Sequence, residues 1–327
     1  MCIRDRSTTD PDRDSLGESD EQWSKSRHEK VTEDEHGQRV DNFLLKRCPG
    51  VPKSHVYRLL RKGEVRVDGK RVKQTRKLES GELVRIPSVR IKVTQNVTVP
   101  DKLANAAQAS IIFEHDDFLI VNKPAGIAVH GGSGLAFGWI DALRQQLDQP
   151  RLELAHRLDR ATSGCLLVGR SLKPNRLLQD LFRKKLIVKR YQALVAGSWP
   201  ASAQTINAPL LSNVEHAGER RVMVNQQGQE AITHFSVRQR FRQATLLDVL
   251  LDTGRTHQIR VHARHQGHAV VGDTRYGDNA QNAQFRKLGL NRMYLHSSEL
   301  EFDWQGQRIA VQAEPDEAWR GSLIKLP

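Results

Sequence analysis

The order of apolar and polar positions divides this chain of 327 residues into four segments. Residues 1–36 hold few large apolar side chains and show no apolar period, which predicts a disordered acidic tail. Residues 37–92 combine helical and strand patterns and predict a small α/β domain. Residues 93–108 are polar and contain Pro100, so we interpret them as a linker. The remaining 109–327 have the length of one further domain.

The small domain is predicted to contain two helices followed by strands. Apolar residues at helical spacing predict a first helix from Val40. A second helix is expected to begin at Ser54, a good N-cap residue, and to end at Gly63. Residues 65–67 and 81–86 have strand patterns.

The long segment is rich in strand patterns that alternate irregularly with helical ones. This mixture predicts an α+β fold with a mixed sheet rather than a regular repeat of strand and helix. The strand patterns lie at 111–113, 118–122, 165–169, 191–196, 233–238 and 245–251, and the helical patterns at 137–147, 173–185 and 256–266.

The sequence argues against several classes of protein and site. It contains no run of about 18 apolar residues, so we expect no membrane-spanning helix. It shows no apolar secretion signal at its beginning, and we expect a cytoplasmic protein. Its three cysteines are far apart and form no C-x-x-C, which excludes a disulfide framework and a zinc knuckle. It has no glycine-rich nucleotide motif, so a nucleotide cofactor is unsupported.

The net charge of +13 is distributed unevenly along the chain. Residues 1–38 carry 6 basic and 11 acidic side chains, a net of −5. Residues 39–92 carry 16 basic and 5 acidic ones, a net of +11, and the rest carry 29 and 22, a net of +7. Such a concentration on a small domain is the electrostatic footprint of a nucleic-acid binder, although a charge run can also be a solvated surface.

The densest polar stretch of the long segment is His156–Gly164, which lies between two apolar runs. It places the carboxylate of Asp159 among His156, Arg157 and Arg160. Nearby cations favour the charged carboxylate, and a positioned carboxylate is a competent nucleophile. The alternative is a structural Asp–Arg pair that closes a turn, and the spacing alone leaves both open.

A second cluster, Asp252–His262, leads into the last predicted helix of the long segment. Four histidines lie in or after it, at positions 257, 262, 265 and 268. Helical spacing turns His262 away from His257 and no acidic partner is near, so we expect no metal and interpret these histidines as solvated or facing RNA.

A glycine-rich loop and a tyrosine could also belong to the site, but a purely structural role is at least as well supported by the sequence for each of them. Residues Asn122–Gly132 form a glycine-rich loop that could approach a ligand or be a plain turn. Tyr191 begins a buried strand pattern, where a tyrosine is more often part of the core than catalytic.

Taken in order, these clusters resemble the motifs of the pseudouridine synthases, specifically those of the RluA-type branch. The residues that carry the resemblance are His156–Gly164, Gly254–His262, Lys189–Val195 and Asn122–Gly132. The resemblance covers nearly all of 39–327 and implies a catalytic domain with a mixed, mainly antiparallel sheet. Val129–Gly134, together with the small domain, looks most like the RluC subtype, which acts on large-subunit ribosomal RNA.

The small domain itself resembles the alpha-L, or S4, RNA-binding fold. Arg39–Leu44, Ser54–Gly63 and Val65–Lys70 carry this resemblance. Phosphate contacts from such a domain position RNA without reading its sequence. The basic side chains expected to make them are Lys53, Arg58, Arg61, Lys62, Arg66 and Lys70.

The resemblance implies a role for each residue of the catalytic motifs. Asp159 would be the nucleophile, attacking the sugar C1′ or the base C6, or promoting loss of the C2′ proton. Arg255 would pair with Asp159, and Tyr191 would stack on the flipped uracil and assist proton removal from C5. Arg157 would fill the gap that the flipped base leaves in the RNA stack. The residues implied to contact RNA beside Asp159 are His156, Arg157 and Arg160.

The resemblance also implies partners and absences. It implies no cofactor and no metal, with large-subunit ribosomal RNA as the partner, free or within pre-ribosomal particles, and we expect a monomer. One alternative is a non-catalytic RNA-binding or ribosome-assembly factor on the same fold. Another is a glycoside or nucleoside hydrolase using Asp159 with Asp252, since such enzymes usually need two carboxylates.

Overall fold

The fold is that of a computed structural model of the chain. The chain divides into two compact units, Met1–Val97 and Thr98–Pro327. The predicted tail over 1–20 and the linker residues 93–98 lie outside the described residues. The structure describes residues 21–92, 99–131, 135–200, 202–216 and 219–327.

The first unit is built from two helices and two small sheets around an apolar core. Strands β2 (Arg27–Lys30), β4 (Leu83–Ile86) and β3 (Arg66–Val67) form one antiparallel sheet in that order, and β1 (Glu21–Trp23) pairs with β5 (Arg90–Lys92). Phe43, Leu60 and Val84 are among the buried core residues. The elements are β1 (Glu21–Trp23), β2 (Arg27–Lys30), a 3-10 turn (Glu33–Glu35), α1 (Val40–Arg47), α2 (Lys53–Lys62), β3 (Arg66–Val67), β4 (Leu83–Ile86) and β5 (Arg90–Lys92).

The prediction of disorder is wrong for residues 21–36. Strand β2 pairs with β4 along its whole length. Arg47 on α1 forms ion pairs with Glu29 and Glu35 of this supposed tail, and Val31 is buried in the core. The stabilisation comes from backbone pairing and ion pairs with residues far along the chain, which apolar periodicity does not register.

Helix α2 confirms the predicted end but not the predicted beginning. Gly63 ends the helix in the left-handed conformation at φ 71°, which favours glycine. The N-cap residue is Pro52 rather than Ser54. Proline tolerates this position because the first amides of a helix have no intrahelical partner.

The elements of the second unit are α3 (Asp101–Ala109), β6 (Ile111–Glu114), β7 (Phe118–Lys123), α4 (Trp139–Gln146), β8 (Glu153–Leu154), β9 (Ser163–Gly169), α5 (Leu172–Arg183), β10 (Val188–Ala196), β11 (Ala203–Asn207), β12 (Leu210–His216), β13 (Glu219–Val224), β14 (Ile232–Arg240), β15 (Ala244–Leu251), α6 (Gln258–His265), α7 (Asn279–Lys287), β16 (Leu295–Trp304), β17 (Gln307–Gln312) and α8 (Glu317–Ile324). Ten of these strands form one sheet in the order β11-β14-β15-β10-β16-β9-β7-β6, with β17 beside β16 and β8 beside β9.

The sheet confirms the predicted α+β class. Strands β9 and β16 run parallel, while the other pairs of this sheet are antiparallel. The largest buried cluster covers one face and includes Trp139, Tyr191 and Leu247. None of the helices within the described ranges has the length and apolarity needed to cross a membrane.

The predicted linker extends too far toward the second unit. Residues Asp101–Ala109 form α3, whose Ala104 and Ala107 are buried. The side-chain amide of Gln145 on α4 donates to Val99 O over 3.0 Å and accepts from Val99 N over 2.8 Å. An alanine-rich helix with polar neighbours looks like a linker in sequence because its small apolar face gives a weak periodic signal.

Candidate active site

Asp159 lies in the turn that leads from β8 into β9. The backbone N–H of Thr162 donates to Asp159 O over 3.0 Å and closes the turn. The side chain of Asp159 accepts a hydrogen bond from Arg260 Nη1, at 2.8 Å from its Oδ2. His257 Nε2 lies 3.6 Å from its Oδ1. The carboxylate is therefore held between a guanidinium and an imidazole, both carried by the start of α6.

Arg260 is itself fixed by a second carboxylate. Its Nε and Nη2 donate to the two carboxylate oxygens of Asp273 at 2.7 and 2.9 Å. Asp273 is 1% exposed and also accepts from the backbone N–H groups of Arg275 and Tyr276. Burial opposes charge on both partners, but this pairing lowers the pKa of Asp273 and raises that of Arg260. The bidentate pair leaves Nη1 aimed at Asp159.

The predicted pairing of Arg255 with Asp159 is wrong. Arg255 Nε donates to the backbone carbonyl of Glu230 over 3.0 Å, and the cation at Asp159 is Arg260. Both arginines belong to the motif at 254–262, and spacing alone could not separate them. The distinguishing signal is the helix start at Gln258, which puts Arg260 in the first turn of α6 and leaves Arg255 in the preceding loop.

Gln258 explains why this motif folds as it does. Its side-chain oxygen accepts from Thr253 Oγ1 at 2.8 Å and from the backbone N–H of Arg255 at 2.9 Å. Its amide nitrogen donates to Ile232 O and Thr233 Oγ1, each at 2.9 Å. A buried amide with all these partners holds the loop after β15 rigidly against β14.

The Thr-Ser-Gly part of the first motif brings β9 close to β16. Gly164 has φ 108°, and a Cβ there would lie 2.1 Å from Ser297 O, so only glycine fits. Ser163 Oγ accepts from Arg292 Nη2 at 2.7 Å and lies 2.9 Å from His296 Nδ1. These residues position the Asp159 turn rather than form its chemistry.

A cavity of about 160 Å³ opens in front of Asp159. Its volume is below the usual range of small-molecule pockets and suits a single flat ring. Arg157, Tyr191 and Arg255 contribute to its walls, with apolar surface from Leu158, Leu251, Ile259 and Leu295. Burial raises the pKa of Tyr191 to about 12, so its phenol is neutral at physiological pH.

Comparison with known proteins adds family evidence to this geometry. The RNA pseudouridylate synthase family matches residues 117–265, and the S4 domain matches residues 38–84. "Ribosomal large subunit pseudouridine synthase C" of Haemophilus ducreyi is 48% identical over 90% of this chain and 94% of its own length. The protein of that name from Escherichia coli (strain K12) is 46% identical over 90% and 95%. The chain belongs to the pseudouridine synthases.

A solved structure agrees with this assignment. Human RNA Pseudouridylate Synthase Domain Containing 1 superimposes with a TM-score of 0.55 at 27% identity. The match covers 63% of this chain and 83% of that one. The resemblance inferred from the motifs is therefore confirmed, and the mixed sheet is that of a pseudouridine synthase.

Of the three basic residues predicted beside Asp159, the synthase brings only Arg157 to its cavity. Arg160 Nε donates instead to Gly126 O over 2.8 Å. The His156 ring packs on Phe182, and its Nε2 accepts from the backbone N–H of Leu167 at 3.0 Å. Burial lowers the pKa of His156 to about 3, so it cannot offer the charge expected for an RNA contact.

The histidines of the second motif have separate roles. His257 is the N-cap of α6 with φ 56°, and its Nδ1 lies 2.7 Å from Tyr276 Oη. His262 is fully buried between Thr233 and the Ala208 carbonyl, which corrects the expectation of a solvated or RNA-facing ring. Within the described ranges, no three side chains of His, Cys, Asp or Glu group in a way that could hold a metal ion.

The S4 domain exposes most of the basic side chains predicted to meet RNA. Those on or beside α2 and at the following turn are exposed, namely Lys53, Arg58, Arg61, Lys62 and Lys70. Arg66 is half-buried, and it donates to Gly63 O at 2.8 Å and to Gly69 O at 3.3 Å. Arg66 therefore holds the turn of its own domain, which spacing on a strand could not reveal.

The glycine-rich loop is held together by a buried lysine and is hydrogen-bonded to the Asp159 turn. Lys123 is 0% exposed, and its Nζ donates to Pro124 O at 2.7 Å and to Ile127 O at 2.9 Å. The N–H of Gly126, at φ 88°, donates to Arg160 O over 2.8 Å. The loop thus supports the catalytic turn. Burial lowers the pKa of Lys123 from 10.5 to about 7.

This pKa predicts a pH dependence of stability that Lys123→Met removes. Between about pH 7 and 10.5 the unfolded chain binds more protons at this lysine than the folded chain does. The free energy of unfolding therefore rises with pH across this range. The stabilisation linked to the lowered pKa of Lys123 is fully present above pH 10.5 and is lost as the pH falls through about 7. Urea unfolding at pH 7 and 9 should show wild type gaining up to about 1.4 kcal/mol per pH unit over the variant.

The exposed Lys102 on α3 provides the control for this measurement. The unfolding free energy of Lys102→Met should differ from that of wild type by the same amount at both pH values. A difference between wild type and Lys123→Met that does not change with pH would contradict the assignment.

Proposed function

We propose that this synthase isomerises specific uridines of large-subunit ribosomal RNA to pseudouridine. The substrate is taken from the names of its relatives, which it matches over 90% of its length at 46–48% identity. The observation that carries the chemistry is Asp159, held by Arg260 in the wall of a cavity that suits one base. The reaction requires no net oxidation and no second substrate, because the uracil leaves and rejoins the same ribose.

The proposed reaction begins with base flipping, because the glycosidic bond is inaccessible within an RNA helix. The flipped uracil enters the cavity of Asp159, where the N1–C1′ bond breaks and a C5–C1′ bond forms. C5 loses its proton and N1 gains one. Asp159 acts at C1′, at C6 or on the C2′ proton, and all three routes need a charged carboxylate at this place.

Three further side chains have proposed roles around the base. Tyr191 stacks on the uracil, and its neutral phenol favours stacking and hydrogen bonding over acting as a free base. Arg157 is exposed at the cavity mouth, which suits a residue that fills the gap in the RNA stack. Arg255 contacts the substrate rather than Asp159, because it lines the cavity while its Nε is bonded to Glu230 O.

The S4 domain is proposed to hold RNA by its phosphates. The exposed cations of α2 support this role, because phosphate contacts give affinity and register without sequence readout. We further propose that the synthase acts in the cytoplasm as a monomer, on free RNA or on pre-ribosomal particles.

The hydrolase alternative is less well supported by the site. Among the described residues that line the cavity in front of Asp159, that aspartate is the only carboxylate. Asp252 is hydrogen-bonded to His234 at 2.9 Å, and Asp273 is occupied by Arg260. A pair of free carboxylates facing one glycosidic bond is therefore lacking there.

Incubation of the purified synthase with a large-subunit ribosomal RNA transcript tests this proposal. We expect some uridines to be converted to pseudouridine, and no free uracil to be released. Pseudouridine is recognised because its carbodiimide adduct survives alkaline treatment, whereas the adduct of uridine is removed. Release of uracil would support the hydrolase. RNA binding without any modified base would support the non-catalytic factor.

A further inference from the structure

A second cavity adjoins the one that faces Asp159. It has a volume of about 450 Å³ and shares Arg157, Tyr191 and Arg255 with the first. Its remaining basic lining comes from Arg183, Lys185 and Lys189. Five basic side chains therefore line this cavity. Among its described lining residues, Asp252 is the one carboxylate.

Lys189 differs from the other cations of this cavity because it is buried. It is 7% exposed, and it lies two residues before Tyr191 on β10, so both side chains face the same side of the sheet. Within the described part of the chain its ammonium has no hydrogen bond and no ion pair. Burial lowers the pKa of Lys189, with Asp252 raising it and Lys185 lowering it.

The neighbouring charges compensate this ammonium only in part, through Asp252. Asp252 accepts from His234 Nε2 at 2.9 Å, and Lys185 pairs with Glu230 at 3.0 Å. His156, which also lines the cavity, is neutral. A buried ammonium is costly unless an anion meets it, and the opening of the cavity allows that anion to come from outside the protein.

We propose that this second cavity is a phosphate subsite, in which Lys189 binds a backbone phosphate of the RNA next to the flipped uridine. The inference rests on the proposed function for the identity of the RNA. The shared wall of Arg157, Tyr191 and Arg255 joins the two cavities, so a strand whose base enters the first would carry its adjoining phosphate past the second. The ammonium and the phosphate would form a charge-assisted hydrogen bond.

Binding measurements over a salt series test the subsite, with a large-subunit ribosomal RNA transcript as the probe. Lys189→Met should weaken binding about ten- to a hundred-fold. It should also lower the slope of log affinity against log salt by about one, since one phosphate contact is lost. The matched control is Lys287→Met, an exposed lysine of α7, which should leave both quantities unchanged.

Thermal unfolding without RNA separates this role from a structural one. Because Lys189→Met removes a buried charge that the protein compensates only in part, its unfolding midpoint should equal or exceed that of wild type. Lys189→Gln, which loses the charge but keeps a polar end, repeats both measurements if the Met variant does not fold. An unchanged salt slope in the variants would overturn the proposal, and a lower midpoint with it would assign Lys189 a structural role instead.

Inorganic phosphate at constant ionic strength distinguishes a free anion from RNA as the ligand. If it raises the unfolding midpoint of wild type but not of Lys189→Met, while the RNA salt slope is the same in both, the cavity is a free-phosphate site and the proposal fails. A lower slope of log RNA affinity against log salt in Lys189→Met supports the proposal, whether or not phosphate shifts the unfolding midpoint. Because these readouts are binding and stability, they remain interpretable even if no pseudouridine is formed.

Discussion

Asp159→Asn is expected to abolish pseudouridine formation, with a loss of at least about 10³-fold in turnover. The asparagine amide matches the carboxylate in shape but has no charge with which to act on the sugar or the base. Arg260 keeps its bidentate bond to Asp273 in this variant, so the wall of the cavity should remain in place. We expect RNA affinity to change by less than about three-fold and the free energy of unfolding by less than about 2 kcal/mol.

Single-turnover assays on a large-subunit ribosomal RNA transcript would measure this loss. Asp116→Asn, which alters an exposed carboxylate between β6 and β7, is the matched control and should behave as wild type. Substantial turnover by purified Asp159→Asn would remove Asp159 from the chemistry.

Arg260→Ala is expected to be the most destabilising change near the site, by about 3–5 kcal/mol in the free energy of unfolding. Its removal leaves Asp273, which is 1% exposed, as an uncompensated buried charge. It also removes the only guanidinium bonded to Asp159 within the described residues. Turnover should fall with it, since the carboxylate loses both its orientation and its counter-charge.

Arg255→Ala is the matched comparison because it removes a guanidinium from the same cavity. Among the described residues Arg255 makes one side-chain hydrogen bond, to a backbone carbonyl, so we expect a loss of stability below about 1.5 kcal/mol. Its activity should still fall strongly, but through weaker substrate binding, seen as a higher KM. Arg260→Lys should recover part of the stability, since it restores the charge without the fork.

Urea unfolding and steady-state kinetics of these variants would decide between the two arginines. If Arg255→Ala lowered kcat and stability while Arg260→Ala changed neither, Arg255 and not Arg260 would support Asp159.

The sequence predicts the fold and the family well where a local pattern of apolar or charged residues is enough to identify an element or a motif. The strands at 118–123 and 244–251 alternate or run apolar, and the motif around Asp159 is dense in charge, so each was recognisable locally. Sequence failed where partners are distant. The pairing of β2 with β4 joins segments more than fifty residues apart, and no apolar period marks it.

The candidate site shows the same division. The resemblance implies that Asp159, Tyr191 and Arg157 share one site, and all three line one cavity. Spacing does not single out Arg260, because its role depends on Asp273, which lies in a different loop and carries no motif of its own. The sequence also does not reveal that His156 is neutral, because its neutral state follows from burial against Phe182.

Mapping pseudouridines in the large-subunit ribosomal RNA of a strain that lacks this synthase tests the central claim most directly. We predict that specific pseudouridines are missing, that they return when the wild-type chain is supplied, and that they stay missing with Asp159→Asn at equal protein level. An unchanged pseudouridine map in the deletion strain, or full restoration by Asp159→Asn, would contradict the account.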